Sequence, residues 1–149
     1  MRTYRRILLP IFSQGKSDIL LHKVTELAQR QQTHLLVLRV LDTTSMEPDG
    51  PAAGLPGEIL SRRAPAILKR LELQLARNNL GWAEARVVWG EPQAALSAVI
   101  RAWRPDLVVT TEPYLPEEIA QGADILKVRG SGILRRLTDT LRHFSFQHA

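Results

Sequence analysis

Residues 106–117, DLVVTTEPYLPE, start as a buried strand and then enter a turn without glycine. In an α/β chain such a turn is a natural seat for a phosphate, because backbone amides converge at the carboxyl end of a strand and glycine lets them approach closely with positive φ. Thr111 and Tyr114 cannot adopt that geometry cheaply, and Glu112 brings a charge of the same sign as phosphate. Further on, Gly130-Ser131-Gly132 stands before an apolar stripe with Lys127 and Arg129 nearby. Two chemistries are open there: Ser131 as a simple helix cap, or an anion held by free amides and the helix dipole.

Other candidate chemistry is thinner. His22, His34, His143 and His148 fall on a helix, a strand start and the tail, and the five-residue spacing of the last two suits no single helical face. Surface histidine is the expectation, and no metal site. Glu117 and Glu118 follow Pro116 as acids do in a first helical turn. Ser13, Ser17 and Ser131 lack the context of a nucleophile elbow, and SQGKSD at 13–18 lacks the two-glycine frame of a phosphate loop. With cysteine absent, thiolate chemistry and disulfides are excluded, so no catalytic residue is named and the chain is expected not to be an enzyme. Trp82, Trp89 and Trp103 are expected to be core or interface anchors.

The elements that must position these residues alternate regularly. RRILLPIF at 5–12 and HLLVLRVL at 34–41 are continuous apolar runs, as strands buried on both faces require. AEARVVWG at 83–90 and DLVVT at 106–110 are the third and fourth strands. Between them, Leu20, Val24, Leu27 and Ala28, then Leu60 to Leu75, then Leu96, Val99, Ile100 and Trp103 recur at helical spacing. Pro65 leaves the second helix either starting near it or kinked. A fourth helix is expected from Ile133 or Leu134 through Leu137, Leu141 and Phe144. Residues 42–57 read as a flexible loop, and residues 112–129 as an irregular segment.

The order β-α-β-α-β-α-β implies right-handed crossovers and an open, mostly parallel sheet with helices on both faces, in one domain over residues 1–149. With the fourth helix so close to the end, a fifth strand is apparently missing, which would leave the fourth strand as an exposed edge. The net charge of +5 on 149 residues attracts anions weakly. Nucleic acid is an unlikely partner, because no aromatic residues interleave with the basic clusters at 62–70 and 127–142. Pro10 breaks the apolar start, no cleavage site follows and no apolar window spans a bilayer, so the expected place is the cytoplasm, without membrane insertion.

YRRILLPIFSQGKSDILLHKVTELAQRQQTHLLVLRVLD, WGEPQAALSAVIRAWRPDLVV and GSGILRRLTDTLRHF, in this order and at these intervals, resemble a universal stress protein domain. The likeness implies a Rossmann-like α/β sheet, a role in stress resistance, frequent homodimers paired through the fifth strand and, in one branch, ATP at the carboxyl ends of the strands. That branch is similar to a strand followed by G-x2-G-x9-G-[ST], with an acid just after the first strand. This chain has Phe12 in place of the acid, Thr111 and Tyr114 in place of the first two glycines, and Gly130-Ser131 fifteen residues beyond Tyr114 instead of nine. The resemblance therefore implies the branch without ATP, with no cofactor and a protein partner or a second copy of the chain as the binding target. The alternative is a sensor of a nucleotide or phosphate-bearing metabolite, which would sit among Pro10, Val40, Thr110, Thr111, Gly130 and Ser131.

Overall fold

The computed structural model describes residues 4–12, 17–29, 33–44, 55–111, 116–128 and 134–136. Along the chain run β1 (Arg6–Ile11), α1 (Ser17–Gln29), β2 (His34–Asp42), α2 (Gly57–Arg77), β3 (Glu84–Gly90), α3 (Pro92–Trp103), β4 (Leu107–Thr111), a 3-10 turn (Glu117–Ala120), β5 (Asp124–Val128) and β6 (Leu134–Arg136). The strands form one sheet in the order β3-β2-β1-β4-β5-β6. The first five are parallel, and β6 returns antiparallel along β5, with Val128 opposite Leu134 and Leu126 opposite Arg136. The expected α/β sheet is thus present, with β1 at its centre.

Alternation along the strands divides the core between the two faces. Ile7, Leu9 and Ile11 of β1, Leu35 and Val37 of β2 and Leu107 and Val109 of β4 face Leu20, Leu21, Val24 and Leu27 of α1 and Leu71 and Leu75 of α2. The residues between them, Leu8, Leu36, Leu38, Val40 and Val108, face Leu96 and Ile100 of α3. Strands apolar on both sides belong in the middle of a covered parallel sheet, and β1 and β2 are buried over nearly their whole length.

One local expectation resolves. α2 is one helix that passes through Pro65, which is exposed, so the carbonyl deprived of its amide partner lies on the solvent side. The Gly90-Glu91-Pro92 corner starts α3: Gly90 adopts φ 140°, and the Glu91 carboxylate accepts from the Gln93 and Ala94 amides at 3.2 and 2.7 Å. Pro92, at the first position, gives up an amide that no helix end uses. Glu91→Ala is expected to cost about 1 kcal/mol of unfolding free energy, measured by urea denaturation, with Glu91→Asp recovering most of it.

Three expectations are corrected. The fifth strand is present: ADILKV, inside the stretch read as irregular, forms β5 against β4, and Leu126 and Val128 complete the α1 face of the core. β4 is therefore an interior strand, paired on both sides, and no exposed edge. Where the fourth helix was expected to begin, Leu134–Arg136 is a strand, because pairing with β5 satisfies that strand's outer backbone groups locally. The rest of the stripe, Leu137 to Phe144, and most of the 42–57 loop lie outside the described residues.

Candidate functional site

Pro10, Val40 and Thr110 are brought together. They lie on the three neighbouring strands β1, β2 and β4, near their carboxyl ends, and all three are buried. By alternation they share the α3 face with Leu8, Leu38 and Val108. Thr111 ends β4 opposite Val128. Gly130 and Ser131 lie outside the described residues, but the strand at 134–136 removes the helix whose first turn was to supply amides beside Ser131.

Pro10 opens this end of the sheet. In a parallel strand both backbone groups of a residue point to one neighbour, and the neighbours alternate. Asp106 donates its amide to the Arg6 carbonyl, so the even-numbered residues of β1 face β4. Pro10 is therefore turned to β4 with no amide to give. Pairing with β4 covers Ile7 and Leu8, whereas pairing with β2 runs to Ile11. The gap falls between β1 and β4, where the crossovers diverge to left and right, which is the place for a ligand in an open α/β sheet.

Apart from Thr110, the described residues that line the gap are apolar. Phe12, in place of the branch's acid, packs with the cluster of Leu8, Leu38, Val40 and Leu96. The 3-10 turn at Glu117–Ala120 leads directly into β5. Ile119 and Ala120 of that turn close, with Ile100, Val108, Thr110, Pro116 and Ile125, a cavity of about 10 Å3, room for one water and no more. Gln121, at φ 54°, ties the turn to α3 by donating to the Ser97 carbonyl and hydroxyl.

A charged residue that the sequence reading treats as part of a buried strand stands on the other face. Arg39 of β2 is 6% exposed, between Val37 and Leu41. One guanidinium nitrogen donates to the Ile11 and Val40 carbonyls at 3.3 and 3.1 Å, and its Nε has no partner. Burial pushes its pKa below the usual arginine value. The signal in the sequence is the interruption of LLVLRVL by one arginine where a strand buried on both faces should be wholly apolar.

At the amino ends of the strands lies a wider cleft of about 350 Å3, lined by Arg6, Thr33, His34, Trp82, Glu84 and Trp103. The Arg6 guanidinium stacks 4.2 Å from the Trp103 ring centre and its Nε donates to the Trp103 carbonyl, so this wall is held in place from both sides. Of the three tryptophans only Trp103 is packed against the core; Trp82 and Trp89, before and within β3, are 49% and 37% exposed. Among the described residues no group of three His, Asp or Glu side chains is placed to hold a metal ion, and no helix is long and apolar enough to cross a membrane.

Five parallel strands in the order 3-2-1-4-5, α1 and α2 on one face and α3 on the other, and a gap between the first and fourth strands define a doubly wound α/β domain with its ligand end at the strand carboxyl termini. The family model of the universal stress protein family matches residues 3–112, and the chain belongs to that family. Among solved structures it is similar to a universal stress protein in complex with cAMP, with 17% identity over 85% of this chain and 98% of that one and a TM-score of 0.58. It is also similar to the universal stress protein UspA from Lactobacillus plantarum, with 18% identity, 87% and 99% coverage and a TM-score of 0.57. The universal stress protein from Archaeoglobus fulgidus in complex with dAMP shares 13% identity, 86% and 98% coverage and a TM-score of 0.52. No curated protein matches. At these identities the solved structures establish the fold.

Proposed function

We propose that this chain is a non-enzymatic, cytoplasmic universal stress protein that acts by contact with another protein, a second copy of itself included, and does not use ATP. The observation that carries the contact reading is the free edge at β3. That strand has seven residues, pairs among the described residues only with β2 and is bracketed by the exposed indoles of Trp82 and Trp89. An unprotected edge strand with large exposed aromatic side chains is a template for another chain. The opposite edge differs, because β6 lies along the outer side of β5, the strand through which the family resemblance implies dimers. The reading without ATP is supported by Phe12 packed into the apolar cluster and by Thr111 and Tyr114 in place of the first two glycines.

A second reading, a sensor of a nucleotide or phosphate metabolite, draws on the gap that Pro10 opens between β1 and β4, and on the cAMP and dAMP held by two of the similar structures.

Light scattering and native mass spectrometry test the contact reading. The wild type is expected to gain mass with concentration, and Trp89→Lys to weaken that association about thirtyfold, the effect of losing one interface anchor of about 2 kcal/mol. A mass that stays monomeric at every concentration contradicts self-association through this edge.

A further inference from the structure

Arg39 is the most anomalous side chain in the core. It is buried to 6% exposure between two apolar clusters, with Val37 on one side and Leu41 and Leu60 on the other. A guanidinium offers five N–H donors, and here two long hydrogen bonds from one nitrogen to backbone carbonyls are its only partners among the described residues, with Nε unmatched. Among the described residues no carboxylate relieves it. Asp42 lies on the opposite side of β2 by alternation and is turned back on the Thr44 amide and hydroxyl, and Glu58 is exposed in the first turn of α2.

The surroundings add positive potential. α1 follows β1 and α2 follows β2, so both helices, of 13 and 21 residues, begin at the carboxyl end of the sheet and pack on the face that carries Arg39. Their amino ends therefore open toward the end of β1 that the guanidinium reaches at the Ile11 carbonyl. At α2 the capping residue is Pro56, which has no side-chain acceptor for the first amides. A buried cation with an unmatched donor, beneath two positive helix ends, is a site built for negative charge.

We propose that Arg39 is the floor of an oxyanion site, for a phosphate or carboxylate group, on the α1–α2 face at the carboxyl ends of β1 and β2. The site is distinct from the gap between β1 and β4: Pro10, Val40 and Thr110 lie on the opposite face of the sheet. It does not depend on either reading of the function. The guanidinium pairs with two oxygens of the anion through its fork, and Nε gains the partner it lacks.

The test is a titration of the whole chain, in a chloride buffer free of oxyanions, with inorganic phosphate and separately with acetate, each against sodium chloride at matched ionic strength. The thermal midpoint of the wild type is expected to rise saturably by several degrees at about 100 times the dissociation constant. Arg39→Met, which keeps the volume and removes the charge, is expected to lose the response and, without anion, to melt no lower than the wild type. A response to phosphate alone assigns the site to phosphate esters, and one to acetate alone to carboxylates. An Arg39→Met midpoint that rises as the wild type's does, or a wild type that answers the anions only as it answers chloride, overturns the proposal. Should the variant fail to fold, the Arg39 Nε–H resonance of the wild type decides: a saturable shift with phosphate or acetate upholds the site, and an unmoved resonance overturns it.

Discussion

Leu9→Ala is expected to lower the unfolding free energy by about 2–5 kcal/mol, the range for deleting a fully buried leucine side chain. Leu9 has no exposed surface and sits in the middle of β1, an interior strand at the centre of the sheet, facing the cluster formed with α1 and α2. Strand, helix and neighbouring strands all press on this position, so the site can collapse little and the cost should fall in the upper part of the range. Urea denaturation followed by far-UV circular dichroism measures it, with an unchanged m-value showing that the unfolded state is not the cause. Leu73→Ala is the control. Leu73 is 58% exposed on the outer side of α2, and its loss should change stability by less than about 0.5 kcal/mol. A Leu9→Ala cost as small as the control's would place β1 outside the core and contradict the sheet order.

Asp106→Ala is expected to cost about 2 kcal/mol, by a different route. The Asp106 carboxylate accepts the Arg5 and Arg6 amides at 2.8 and 2.9 Å, where β1 begins. Its own amide donates to the Arg6 carbonyl and its carbonyl accepts from the Asp124 amide, so one residue joins the amino ends of β1, β4 and β5. Alanine keeps the two backbone bonds and strands two donors, each a loss of about 1 kcal/mol. Asp106→Asn retains one acceptor oxygen and should lose about half as much. Equal stability of the wild type and both variants would mean that solvent serves the β1 amides as well as the carboxylate does. The same geometry explains why a Pro-Asp pair precedes the fourth strand: the buried Pro105 ends α3, and the aspartate behind it ties the sheet.

The middle of the sheet is legible in the sequence because its strands are apolar on both faces. ILLPI and LLVL can be nothing but interior strands at that length, and the helices between them carry their stripes at regular spacing. β5 is harder to see. ADILKV is short, holds a lysine and follows a proline-rich stretch, and only its pairing with β4 turns a brief apolar run into a strand. β6 is illegible for a stronger reason: its residues belong to a helical stripe, and the contact with β5 overrides the local pattern. In the candidate site, Pro10, Val40 and Thr110 can be placed because each ends a strand that the sequence defines. Arg39 is signalled only by its interruption of the apolar run LLVLRVL, and its burial shows only in the packed sheet.

The most direct test of the account is a thermal-shift titration with ATP, ADP and AMP, with and without magnesium, on protein first shown to carry no retained nucleotide. The account predicts that ATP at millimolar concentration moves the midpoint no further than inorganic phosphate at the same concentration does, in wild type and in Ser131→Ala alike. A bound triphosphate at about 100 times its dissociation constant would add roughly 2.7 kcal/mol, several degrees for a chain of this size. Such a rise with ATP, lost in Ser131→Ala, would contradict the account and return the glycine-free turn to the nucleotide-binding branch.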